Sequence, residues 1–185
     1  MSPAAAALTG PSASDLNWLR AGVLGANDGI VSVAATVLGV AGATAEVRAL
    51  LIAGVAALVA GALSMATGEY VSVSSQRDAE TVSARMRGID PRTVELTNPW
   101  HAAVASLSAF AVGGIIPLLV VLGPWAGGRA VATFVAVVAA LVITGWVSAR
   151  FSGAGAGRSV LRNVVGGCLA MAVTFGIGSL VGLAV

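Results

Sequence analysis

The chain has 185 residues, 57% of them hydrophobic and only 10% charged, and its mean hydropathy is +0.94; a water-soluble domain carries about 25% charged residues. This balance excludes a soluble globular enzyme, a disordered chain and a nucleic-acid-binding module, and the net charge of +2 is too small to recruit a polyanion. The 24 glycines and 5% aromatic content suit helices that pack closely in a bilayer, and the single cysteine, Cys168, excludes an internal disulfide.

The Pro/Ala/Ser-rich start, Met1 to Ser14, lacks a charged n-region and an apolar core, so residues 1–15 are expected to be a disordered tail. The rest, 16–185, reads as one all-α, polytopic membrane domain. Charge-poor apolar runs of at least 20 residues, each long enough to cross about 30 Å of hydrocarbon, fall at about 21–42, 49–73, 101–123, 130–149 and 163–185. The connections at 43–48 and 124–129 are tight turns, and 151–162 contains a flexible Ser/Gly/Ala run. The longest loop, Ser74 to Trp100, begins with Gln76-Arg-Asp-Ala-Glu80, a continuation of the second helix, and ends in Asn98-Pro99, a cap and first-turn pair for the third.

Arginine placement sets the expected orientation. With the N-terminus in the cytosol, that side holds Arg20, Arg77, Arg85, Arg87, Arg92, Arg150, Arg158 and Arg162. The far side holds Arg48 and Arg129 alone and receives the C-terminus, as the positive-inside rule requires. Trp18, Trp100 and Trp146 fall at the cytosolic interface and Trp125 at the other.

Only two carboxylates lie within the spans, Asp28 and Glu69, and an ionisable group at that depth is by default a functional residue. Asp28 follows Arg20 by eight residues and Glu69 precedes Arg77 by eight. Both are therefore expected about 12 Å inside the cytosolic boundary, at one level. Met65 lies one turn deeper than Glu69, and the same face continues through Ser72, Gln76 and Glu80. Asn27, Ser32 and Thr36 extend a polar path along the first span. Carboxylates with one thioether suit a divalent transition metal. The same residues also fit a proton relay or interhelical hydrogen bonds, Met65 fits plain packing, and His101 fits a membrane interface.

Gly54, Gly61 and Gly68 recur every seven residues and read as a packing stripe, Gly178 and Gly182 form a GxxxG, and Pro117 is expected to kink or loosen the third span. Two carboxylates and one thioether are few for a divalent ion. A twofold homodimer with the first two helices at its axis would double them.

Leu24-Gly-Ala-Asn-Asp-Gly-Ile-Val-Ser32 and the run Ala60 to Gln76, with Gly-Glu-Tyr at 68–70, resemble the signatures of the vacuolar iron transporter family, and Asn98-Pro99 and Gly113-Gly-Ile-Ile-Pro-Leu118 resemble its third-span pattern. The resemblance covers residues 16–185. It implies a dimeric five-helix protein that exports Fe²⁺, and in many members Mn²⁺, from the cytosol by proton antiport, with no permanently bound cofactor. The family's pore aspartate, methionine and motif glutamate correspond to Asp28, Met65 and Glu69. The chain departs from the best-known members in lacking their long metal-gathering insertion. Its short loop offers Asp78, Glu80, Asp90, Glu95 and Met86, as in the shorter nodulin-like and bacterial members. Asp78 and Glu80 either draw cations to the entrance or are simply solvated.

The expected partners are the bilayer, a second copy, divalent metals and protons. The expected site is a bacterial plasma membrane, or the vacuolar membrane in a eukaryote. Two rivals stay open at this point: a proton-coupled exporter of a small organic cation using the same carboxylates, and a non-transporting membrane partner of an iron-storage protein.

Overall fold

A computed structural model describes residues 13–125, 127–153 and 155–184, with side chains from Asn17 onward among the first helix's residues. Residues 1–12 of the expected tail lie outside the described residues. The chain forms five helices: α1 (Ala13–Ala43), α2 (Val47–Met86), α3 (Pro99–Val121), α4 (Arg129–Ser152) and α5 (Ala156–Ala184). All five are long and apolar enough to cross a membrane. The first helix thus begins inside the segment 1–15. Two further boundaries move. The second helix runs to Met86, thirteen residues past the apolar span, because nothing between Val73 and Met86 breaks a helix. The fifth begins at Ala156, within the expected 151–162 loop, because the left-handed turn needed to end α4 is taken by Gly153 alone, at φ 67°.

Side-chain caps start α3 and the short turn before it. The Asn98 side chain accepts from the backbone N–H groups of Trp100 and His101, and Pro99 occupies the first turn. Asp90 accepts from the N–H of Arg92 and starts a single 3₁₀ turn, Pro91–Thr93, in the α2–α3 loop. At the opposite end of the bundle the Trp125 indole N–H donates to the Val120 carbonyl at 2.6 Å, and Arg129 reaches the Ala45 carbonyl at 3.4 Å, tying the two short turns together.

Helix α1 is the central column and packs against all four others. Ile30, Ala34 and Leu38 form one apolar cluster with Val137, Ala140 and Leu141 of α4 and Met171 of α5. One step around the helix, Val33 and Val37 form another with Leu50 and Ala62 of α2 and Phe110, Leu118 and Val121 of α3. The closest approaches use glycine. A Cβ on Gly25 would sit 2.6 Å from the Ser106 carbonyl oxygen, one on Gly29 would meet the Phe110 carbonyl, and one on Gly113 the Ala26 carbonyl. Backbones this close gain dispersion contacts that side chains would prevent. Gly178 and Gly182 of α5 do the same against Gly39 and Ala43. Pro117 is buried within α3, which runs through it without interruption.

The outer surface is apolar. Leu51, Ile52, Val55, Val59 and Leu63 of α2 are exposed, as are Val112 and Leu119 of α3, Val135 and Ile143 of α4 and Leu180 of α5. A soluble protein buries such residues, so this inverted surface is one that lipid covers.

Candidate functional site

The carboxylates sit on α1 and α2, which run antiparallel. Asn17 stands opposite Gln76, with Nδ2 to Oε1 at 3.3 Å, and Val37 lies against Gly54. Between these fixed points, Asp28 is level with Ser64 and Met65, while Glu69 is level with Val23. The expected equal depth is not what the structure shows: Glu69 lies about five residues, roughly 7–8 Å, nearer the arginine-rich end. The reason is Arg20. It does not mark a boundary, because its Nη2 reaches inward to 3.6 Å from Glu69 Oε2.

Glu69 is 8% exposed and Oε2 has no hydrogen-bond partner. Its charge is balanced by the Arg20 guanidinium through space alone, and Arg20 itself is 56% exposed. A pair with one partner so open to solvent is weak and readily exchanged. Asp28 is half-buried, and its Oδ1 accepts from the Ser32 hydroxyl at 3.1 Å. Thr36 returns its own hydroxyl to the Ser32 carbonyl at 2.8 Å. Met65 packs, half-buried, against the Val33–Ala62–Phe110 cluster. The Oδ1 of Asn27 is buried without a partner. Among the described residues no group of three or more His, Cys, Asp or Glu side chains gathers into a metal-holding cluster.

The expected stripe on α2 is interrupted. One turn on from Glu69 the inward position is Val73, fully buried with Ala21 and Ala102. Ser72 lies instead on the exposed outer face with Ser64, Thr67, Gly68 and Val71, because it is turned about 100° around the helix from the buried Val73. Gln76 and Glu80 form a brace. Gln76 accepts from Asn17 and donates to Glu80 Oε1 at 3.0 Å, and Glu80 Oε2 accepts from the Thr97 N–H at 3.0 Å and hydroxyl at 3.1 Å. Partial burial pulls the Glu80 carboxyl upward. The hydrogen bonds from Thr97 and Gln76 and the charge of Arg77 outweigh that, leaving its pKa below the usual carboxylate value. Asp78 is exposed.

Of the packing glycines, Gly54 receives Leu118 and Val37, and Gly61 receives the Phe110 ring, but no atom lies within 4 Å of where a Gly68 Cβ would be. Sequence reasoning missed Arg20 as a partner of Glu69, Thr97 as a partner of Glu80, and the Gly25–Gly29 pair. The last had a signal, a GxxxG flanking Asn27-Asp28.

Five apolar-surfaced helices that can cross a bilayer, with carboxylates among them, define a multi-pass integral membrane protein. The VIT family profile matches residues 19–87 and 79–179. Vacuolar iron transporter homolog 2 of Arabidopsis thaliana is 46% identical over 167 residues, which cover 90% of this chain and 85% of that protein. Vacuolar iron transporter homolog 1 of Oryza sativa subsp. japonica is 48% identical over 174 residues, 90% of this chain and 75% of that one. Vacuolar iron transporter homolog 2.1 of A. thaliana is 42% identical over 181 residues, with 90% and 83% covered. The chain belongs to the VIT family, the vacuolar iron transporters, and is a transporter and not an enzyme.

Proposed function

We propose that the protein exports Fe²⁺, with Mn²⁺ as a second cargo, from the cytosol in exchange for protons. It does so as a homodimer whose pathway is lined by α1 and α2. The arginine-rich end is then cytosolic by the positive-inside rule, and the membrane is the plasma membrane of a bacterium. The observation that carries the reading is the placement of Asp28, level with Met65, and Glu69, one turn nearer the cytosol, on neighbouring helices of a family whose relatives are named for iron transport.

The chemistry follows from the donor types. Glu69, paired among the described residues with a loosely held arginine, is the first carboxylate a cation meets within the membrane span. Asp28 and Met65 form a second station of one hard and one soft donor, which favours a transition metal over Mg²⁺ or Ca²⁺. Each carboxylate binds either a proton or the metal, so loading releases protons and couples the two fluxes. One protomer offers too few donors to strip a divalent ion of water. The exposed outer face of α2, with Ser64, Thr67 and Ser72, is where a second copy would bring its own set.

The test is metal flux into proteoliposomes, with anaerobic Fe²⁺ and then Mn²⁺, with and without a pH gradient. Gradient-dependent flux that vanishes in Asp28→Ala and falls in Met65→Ala is the expected result. Unchanged transport and proton coupling in Asp28→Asn would remove Asp28 from the mechanism, and flux indifferent to the gradient would discard the antiport.

A further inference from the structure

At the arginine-rich end, on the side of α1 away from α3, a cleft of about 460 Å³ opens between α1, α4 and α5. Among the described residues two arginines line it, Arg20 from α1 and Arg162 from α5, and no acidic side chain does. Its walls include Val23, Leu24 and Phe151, and the Asn27 amide lies two turns further in than Arg20. Two cations beside apolar walls, in a chain that spans a membrane, match the two parts of a phospholipid, an anionic headgroup and its hydrocarbon chains.

We propose that this cleft binds an anionic phospholipid. Arg20 and Arg162 hold its phosphate, with the planar fork that suits phosphate oxygens, and an acyl chain lies along Val23, Leu24 and Phe151. Asn27, whose Oδ1 is buried without a partner, lies at the inner end of the cleft. A free phosphate would leave the apolar wall empty, which commits the site to a lipid.

Arg20 gives the site a consequence. The same guanidinium that lines the cleft is the counter-charge of Glu69, 3.6 Å away. A lipid phosphate competes for it, and an occupied cleft leaves the Glu69 carboxylate freer to take a metal ion. Anionic lipid is thus a positive regulator of metal capture, a consequence that rests on the transport reading above, whereas the lipid site itself does not.

Binding is measured on the purified full chain by native mass spectrometry, with phosphatidylglycerol and with phosphatidylcholine of the same chains, and with inorganic phosphate as competitor. Wild type should retain phosphatidylglycerol in preference to phosphatidylcholine. Arg162→Gln should weaken that binding roughly tenfold, the worth of one charge-assisted hydrogen bond, and Arg158→Gln, an exposed arginine outside the cleft, should leave it unchanged. Equal retention of the two lipids, displacement by inorganic phosphate, or unaltered binding in both Arg162→Gln and Arg20→Gln would overturn the site. For the coupling, wild-type flux should rise when phosphatidylglycerol is added to phosphatidylcholine vesicles, and Arg162→Gln should lose that rise. A rise that survives Arg162→Gln overturns the coupling. Wild-type vesicles of either composition that carry no metal would refute the transport reading, while the binding measurement still decides the lipid site.

Discussion

Replacing Gly29 by alanine should damage this protein more than its single methyl group suggests. The new Cβ would lie well under 3.0 Å from the backbone oxygen of Phe110, closer than real Cβ atoms come. A comfortable carbon–oxygen contact needs about 3.3 Å or more, so α1 and α3 must part by roughly 1 Å. No flexible side chain can absorb the move, since both partners are helix backbone. Overpacking of this kind costs about 1–3 kcal/mol, against a gain of roughly 0.5–1 kcal/mol for replacing glycine within a helix. Gly22→Ala on the same helix isolates the clash, because no atom lies within 4 Å of that position and it carries the same gain alone. Reversible unfolding of the purified protein in detergent should therefore separate the two variants by about 1–3 kcal/mol, with Gly22→Ala at or above wild type. Equal stabilities would refute the idea that the α1–α3 crossing is held at backbone contact.

The Phe110 ring lies against Gly61, so Gly61→Ala should destabilise and Phe110→Leu in the same chain should relieve it. A double-mutant cycle is expected to give a favourable coupling of about 1 kcal/mol, and strict additivity would show that the ring has room to move. Glu80 predicts a pH dependence. Its folded-state pKa lies below the unfolded value of 4.5, so its hydrogen bonds to Thr97 and Gln76 contribute stability that is complete above 4.5 and lost as the pH falls through the lower folded value. Thermal unfolding of wild type against Glu80→Gln should show a constant wild-type advantage near neutrality that shrinks below about pH 4.5. An advantage that grows on acidification would contradict the brace.

Five spans are legible in the sequence because a charge-poor run of about twenty apolar residues has few other uses, and the Asn98-Pro99 start of α3 because its two side-chain properties act locally. What escapes is whatever depends on the neighbour. Gly54, Gly61 and Gly68 share a seven-residue spacing, yet the first two receive Leu118 and Phe110 and the third faces open space. Spacing reports the face of one helix but not how far the next helix extends beside it. The brace escapes for the same reason: Gln76 and Glu80 look like a hydrophilic approach to the membrane until Thr97, seventeen residues on, is found closing over Glu80.

The depth of the carboxylates shows where reasoning from charge position fails. Counting eight residues from Arg20 and eight to Arg77 treats both arginines as floats at one water surface. An arginine side chain, however, spans more than one helical turn and follows a carboxylate when one is in reach. Arg20 does this, pairing with Glu69 at 3.6 Å. The register between α1 and α2 is followed instead through contacts between the two helices, Val37 against Gly54 at one end and Asn17 with Gln76 at the other. Those contacts in turn depend on α1 being seated against α3 through Gly25 and Gly29. The two glycines bracket Asn27 and Asp28 in the sequence, so a crossing held at backbone contact also fixes the height of the carboxylate between them. A change of about 1 Å there moves Asp28 relative to Met65 without altering either side chain, and it is at this crossing that stability and the proposed metal pathway are joined.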